Sequence, residues 1–146
     1  MSTQRLSSKD SRPIPDPDDF TRFYWEGAAQ GHLLVQNCRA CHRLQYPPDV
    51  VCVHCQSADV EPVEVSGRGT LFSFARVERL FHSGFANSLP YVIALVELEE
   101  QAGLRLLTNI VDAAGVSLEV GMPVEVVFED RGEVTVPQFR PAGVPA

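Results

Sequence analysis

The sequence predicts a mainly β protein: an N-terminal helix, a small four-cysteine ribbon, then a five-stranded barrel. Three observations predict it. Aromatic and small residues recur at helical spacing from Phe20 to Ala28; two C-x2-C pairs follow, Cys38/Cys41 and Cys52/Cys55; and from Ser66 onward short apolar runs alternate with turns marked by glycine and proline. The expected organisation is a disordered tail over 1–15, helix and ribbon over 16–65, barrel over 66–140 and a loose tail over 141–146.

Bulk properties bound the function. The chain has 146 residues, 45% hydrophobic and 21% charged, enough to bury an ordinary core. A net charge of −7 disfavours a binder of phosphate backbones. Eleven of the twelve basic residues are arginine, and the single lysine, Lys9, lies in a polar tail. Schiff-base chemistry by a buried lysine is thereby removed from the folded part. Met1–Asp10 lacks the apolar stretch of a secretion signal, and no run approaches the ~18 apolar residues of a membrane span. The expectation is a cytoplasmic protein, in which paired cysteines serve as metal ligands more often than as disulfides.

The helix is expected to begin at Asp16 as N-cap, with Pro17 in the first turn and Asp18 and Asp19 facing the positive helix end. Gly31 ends it. Phe20, Phe23, Tyr24 and Trp25 crowd this short element, and such a stripe covers either its own domain or a partner. His32 is expected to cap the last carbonyls. Leu33–Asn37 reads as a strand entering the first cysteine pair.

Barrel strands are expected at Thr70–Val77, Tyr91–Leu98, Leu104–Val111, Val124–Glu129 and Val134–Val136, separated by turns at Gln101-Ala102-Gly103, Gly121-Met122-Pro123 and Arg131-Gly132. Gly67-Arg68-Gly69 reads as a bulge entering the first of them. Five short strands without an intervening helix suggest a closed or partly open barrel. The connection Glu78–Leu89 is longer than a usual hairpin loop and carries Phe81, His82 and Phe85, a place where function often sits.

The cysteines carry the strongest signal. Two residues between cysteines let both thiolates of a knuckle reach one ion, and ten residues bring a second knuckle opposite the first. Four sulfurs at about 2.3 Å make the tetrahedron that zinc favours. Cys38, Cys41, Cys52 and Cys55 are therefore the predicted metal ligands, and a closed site of this kind holds structure without performing chemistry. Cys38-x-x-Cys41-His42 also spells a c-type haem attachment motif, but that would leave Cys52 and Cys55 without a role. A thioredoxin-like pair needs a βαβ setting that is missing. Iron fits the same four sulfurs, although His42 and Gln56 stand where tight iron knuckles carry glycine. His42 and His54 are expected beside the site, not in it.

No nucleophile elbow, phosphate loop or dinucleotide fingerprint appears. Glu97, Glu99 and Glu100 read as a solvated surface. His82 is the one acid or base in a suggestive place.

The order of elements resembles a known family. Phe23-Tyr24-Trp25-Glu26, Gly31, Cys38-x-x-Cys41, Pro47-Pro48 before Cys52-x-x-Cys55, Ser66-Gly67-Arg68-Gly69-Thr70, Pro90-Tyr91-Val92 and Gly121-Met122-Pro123-Val124 together resemble the zinc-ribbon OB-fold proteins associated with acyl-CoA enzymes, whose ribbon is called rubredoxin-like. The resemblance covers roughly residues 18–140. It implies a five-stranded OB-fold barrel and an accessory subunit, non-catalytic alone, that assembles with a thiolase-like or lipid-transfer-like aldolase of steroid or fatty acyl-CoA degradation, or with a MaoC-like hydratase. The partner would hold the catalytic residues, and acyl-CoA would be a shared ligand. Candidate contacts to partner or acyl-CoA are Phe20, Phe23, Tyr24, Trp25, Phe81, His82 and Phe85, with Arg39 and Arg43 placed for CoA phosphates. The alternative is a nucleic-acid-binding ribbon and barrel, stacking bases on aromatics, which the acidic balance weakens. Electron transfer through bound iron is a third reading.

Overall fold

The computed structural model describes residues 11–143. Its elements are α1 (Arg22–Ala29), β1 (Leu34–Cys38), β2 (Leu44–Gln45), β3 (Val60–Glu64), β4 (Arg68–Val77), a 3-10 turn at Ser83–Phe85, β5 (Tyr91–Leu98), β6 (Arg105–Ile110), β7 (Pro123–Asp130) and β8 (Thr135–Pro141). The three short strands form one antiparallel sheet in the order β2-β1-β3, and the five long ones close a barrel in the order β4-β5-β6-β8-β7. The predicted class, one helix followed by a ribbon and a five-stranded barrel, is the observed one.

The helix starts later than expected. Asp18 Oδ1 accepts the backbone N–H groups of Phe20 and Thr21, both at 2.9 Å. Its carbonyl accepts from Arg22 N, so the chain first turns at Asp18 and the helix proper follows Thr21. Asp16 and Pro17 stay outside it, because Asp18 captures the free N–H groups first. At the other end Gly31 adopts φ 81°, and His32 N donates back to Gly27 O at 2.8 Å. The His32 ring does not cap the helix; its Nδ1 lies 2.8 Å from Glu64 Oε1 on β3.

α1 lies across β1, β7 and β8. Tyr24, Leu33 and Val35 join the barrel residues Leu71, Val96, Leu98, Leu106, Val124 and Phe139 in one apolar cluster, so ribbon and barrel share a core. Phe139 and Leu71 are fully buried at its centre. The sole parallel contact in the barrel, Ile110 to Phe139, closes it between β6 and β8. Gln101 clamps the ribbon to the barrel: its side chain accepts from Leu44 N at 2.9 Å and donates to Leu44 O at 2.8 Å.

The bulge lies elsewhere than expected. Pairing of β4 with β5 slips between Leu71 and Ser73, where Phe72 is the extra residue. The glycines serve close approach instead: a Cβ at Gly69 would lie 2.3 Å from Glu97 O. β8 runs to Pro141, which is buried, and Ala142 N donates to Pro123 O at 3.0 Å, so the loose tail expected from residue 141 is tied down at its start. Of the tail expected to be disordered, 1–10 lie outside the described residues, as do 144–146. Arg12, however, is ion-paired to Glu129 of β7 at 2.9 Å. No helix among the described residues is long and apolar enough to cross a membrane.

Candidate metal centre and exposed faces

The two cysteine pairs sit on matching turns. After Cys38, His42 N donates to Cys38 O at 2.7 Å and Cys38 N to Arg43 O at 2.9 Å; after Cys52, Gln56 N donates to Cys52 O at 2.8 Å and Cys52 N to Ser57 O at 2.8 Å. His42 and Gln56 both adopt left-handed φ, 62° and 63°, where glycine is the cheaper residue. The sulfurs also accept backbone N–H groups: Cys41 N reaches Cys38 Sγ at 3.4 Å and His54 N reaches Cys52 Sγ at 3.3 Å. Such bonds favour the thiolate.

All four Sγ atoms lie within 4.8 Å of one another. Cys38–Cys55 and Cys41–Cys52 are each separated by 3.6 Å, far from a disulfide bond length, and all four cysteines are free thiols. Sulfurs 2.3 Å from a central ion would stand about 3.8 Å apart in a tetrahedron. The donor set therefore fits a tetrahedral metal ion, with no fifth protein ligand among the described residues. Hydrogen-bonded to one another, the thiols titrate unevenly. The Cys41 backbone N–H holds Cys38 down at about 7, whereas Cys55, despite the Ser57 backbone N–H, is pushed up to about 12 by sharing a proton with Cys38. A cation entering the site displaces those protons, so its affinity rises with pH. The rings of His42 and His54 are exposed beside the site.

A buried amide network orients the second knuckle. Gln45 Nε2 donates to Gln36 Oε1 at 2.8 Å and to Val51 O at 3.0 Å, and Gln45 Oε1 accepts from Val53 N at 2.8 Å. Gln36 in turn accepts from Asp49 N and donates to Asp49 O, at 2.8 and 2.9 Å. These two glutamines grip the chain on both sides of Cys52. Sequence reasoning missed them. Their signal exists only in the register that places Gln36 opposite Gln45.

The other candidates are scattered. Tyr24 is 5% exposed, packed against Trp25 and Tyr46, so it belongs to the core and offers no contact surface. Phe23 and Trp25 are half-buried against that core, while Phe20 and Phe81 stand out at 53% and 75% exposure. Arg39 binds Asp59 and Glu61, which occupy the guanidinium expected for CoA phosphates; Arg43 is exposed. His82 caps the 3-10 turn, its Nδ1 accepting from Gly84 N at 2.9 Å, and Phe85 packs on Tyr91. Glu97 and Glu99 pair with Arg105 and Arg68. No catalytic constellation converges among the described residues.

Residues 25–61 match the family model described as "ChsH2, rubredoxin-like zinc ribbon domain", and residues 62–129 match "ChsH2, C-terminal OB-fold domain". The chain belongs to the ChsH2 family. This ChsH2-family chain is 42% identical over 132 residues to a protein of Thermomonospora curvata described as a probable enoyl-CoA hydratase alpha subunit, covering 90% of this chain and 40% of that protein. It is 31% identical over 126 residues to a DUF35 domain-containing scaffold protein of Methanocaldococcus jannaschii, covering 80% of this chain and 87% of that one. Among solved structures it superimposes on a chain of the Ltp2-ChsH2(DUF35) aldolase with a TM-score of 0.78 and 41% identity, covering 88% of this chain and 99% of that one. The ChsH2-family chain spans about two fifths of the length of the hydratase alpha subunit it matches.

Proposed function

We propose that this ChsH2-family chain is the non-catalytic, scaffold-type subunit of an acyl-CoA enzyme. It binds a thiolase-like, lipid-transfer-like aldolase and helps to form the acyl-CoA site of the complex, in the degradation of steroid or fatty acyl-CoA. The observation that carries this reading is the match along 99% of a chain of the Ltp2-ChsH2(DUF35) aldolase at 41% identity. A MaoC-like hydratase partner is the second reading, supported by the 42% identity to a hydratase alpha subunit. Against a nucleic-acid role, Arg39, Arg68, Arg105 and Arg140 each already sit on a carboxylate.

In this reading Cys38, Cys41, Cys52 and Cys55 hold zinc, which fixes the ribbon and supplies no chemistry. The protein works in the cytoplasm, where the thiols stay reduced. Phe20, Phe81 and the half-buried Phe23 and Trp25 offer the aromatic contacts to the partner, and Arg43 remains for a phosphate. Co-expression with a thiolase-like aldolase or a MaoC-like hydratase should yield one complex that turns over acyl-CoA only when both chains are present. Failure of either enzyme to co-elute, with acyl-CoA added, would overturn the proposal. Elemental analysis should find one zinc per colourless chain; red protein with iron would replace the metal assignment.

A further inference from the structure

β5 opens with the unbroken apolar run Tyr91-Val92-Ile93-Ala94-Leu95-Val96. A strand with one solvated face alternates apolar and polar residues, whereas an unbroken run belongs to a strand covered on both faces. β7 of the same barrel follows the first pattern: its outward Glu125 and Glu129 meet Arg140 and Arg12. β5 does not. Ala94 and Val96 point into the core, 1% and 0% exposed, so Ile93 and Leu95 point out.

The neighbouring strands extend that outward face. Pairing sets Ser73 and Leu107 on either side of Leu95, and Ala75 beside Ile93. Directly paired residues share a face. Phe72, the extra residue of the bulge, lays its ring on the same side, because Arg105, paired to the outward Glu97, holds its guanidinium 3.7 Å from the Phe72 ring centroid. Phe72, Ala75, Ile93, Leu95 and Leu107 thus form one apolar field on three hydrogen-bonded strands. Phe72 is 42% exposed, Ile93 36% and Leu107 68%. The helix lies over β1, β7 and β8 instead. At the margin of the field, Glu97 and Arg105 neutralise each other at 3.3 Å.

An apolar centre without charges, with an aromatic ring and an arginine at its rim, is the make-up of a protein interface. A second copy of this chain is a poor occupant, since each carries a net charge of −7 and the two repel at long range. We propose that the outer face of β4, β5 and β6 is a docking surface for the enzyme subunit, which meets it with an uncharged apolar patch and without a matching excess of negative charge. The inference rests on the reading of this chain as a scaffold-type subunit, and adds a surface to the aromatic contacts named there. Paired strands already hold these side chains in place, so docking here orders little that is loose.

The test measures binding of the full, metal-loaded chain to the thiolase-like aldolase or MaoC-like hydratase that co-elutes with it. Leu107→Asp and Ala75→Arg each set a charge on the face without emptying the core, and their circular dichroism and metal content should match wild type. Each should raise the Kd by about thirtyfold, the scale of a central interface residue, while Leu107→Met should bind as wild type does. Undiminished binding by both charged variants would overturn the docking face and leave the scaffold reading standing. Failure of wild type to bind either enzyme would overturn that reading, and the enzyme as occupant with it. Sedimentation of the chain alone should find a monomer; a dimer that Leu107→Asp dissolves would give the face to a second copy and overturn the proposal.

Discussion

The ribbon and the barrel are built from strands of similar make, yet different forces hold them. In the barrel, Leu71, Val96, Leu98, Leu106, Val124 and Phe139 point inward and are almost fully removed from water. Their burial is a sufficient account of its order. The ribbon joins that core at its base, through Leu33 and Val35, with the half-buried Leu44, Tyr46 and Val63 packed against it. Beyond them its interior is Gln36, Cys38, Gln45 and Cys52: amides and sulfurs. Amide hydrogen bonds contribute only about 1 kcal/mol each over water, so they shape the ribbon without being able to hold it. An ion on four thiolates contributes on the scale of ~10 kcal/mol. With an ion bound as proposed, the barrel is stabilised by burial and the ribbon by coordination.

That contrast can be broken at several points. The largest effect is expected from Cys52→Ser or from chelation. Hydrogen exchange should then show amides between Cys38 and Val60 losing protection while those of β5 and β6 keep theirs; a barrel that opens in step with the ribbon would erase the distinction. Next comes Phe139→Ala, which removes the most buried ring of the barrel. It should cost about 3–5 kcal/mol in urea unfolding while metal content of the folded protein stays unchanged. If the metal leaves first, the core extends its control further into the ribbon than the packing indicates.

A smaller loss is expected from Gln45→Ala, about 1–3 kcal/mol, because the Val53 N–H loses its partner beside Cys52. Metal competition with a chromophoric chelator should show weaker binding, which separates an orienting amide from mere filler. The smallest effect is a pH dependence at the junction of β3 with the first knuckle. Hydrogen bonds from Arg39 and then Asn37 hold the Glu61 carboxyl below its ordinary range. A depressed folded-state pKa stabilises above the ordinary value, about 4.3, and the contribution is lost as pH falls through it. Thermal unfolding of wild type should therefore decline more steeply than that of Glu61→Gln between about pH 5 and pH 3. Parallel declines would show that this exposed pair does nothing measurable.

Legibility in the sequence followed the same division. The four-cysteine cluster was readable because residue type and spacing are local properties of the chain. β5 was readable to the residue, since a continuous apolar run bounded by turn signals leaves little choice. The helix start was misplaced by several residues: Asp16, Asp18 and Thr21 are all acceptable caps, and the winner is the one whose carboxylate meets two free N–H groups. β3 went unread because its pairing with β1 needs only backbone groups, and Pro62 between two Val-Glu pairs carries no strong strand pattern. Tyr24 looked like contact surface and is core, because helical spacing reports a face without saying what lies beneath it.

Four cysteines at two short spacings, apolar runs of strand length and a glycine at the helix end determined by themselves that there would be a metal ribbon, a barrel and a helix before them. Those signals act between neighbours in the chain, where covalent geometry limits the outcome. Only the tertiary structure decided that Gln36 faces Gln45, that Gln101 ties the ribbon to the barrel, and that Ser11 lies on Gly84. Each of those contacts joins residues whose meeting depends on strand register and on the twist of the closed barrel, and no local pattern records either.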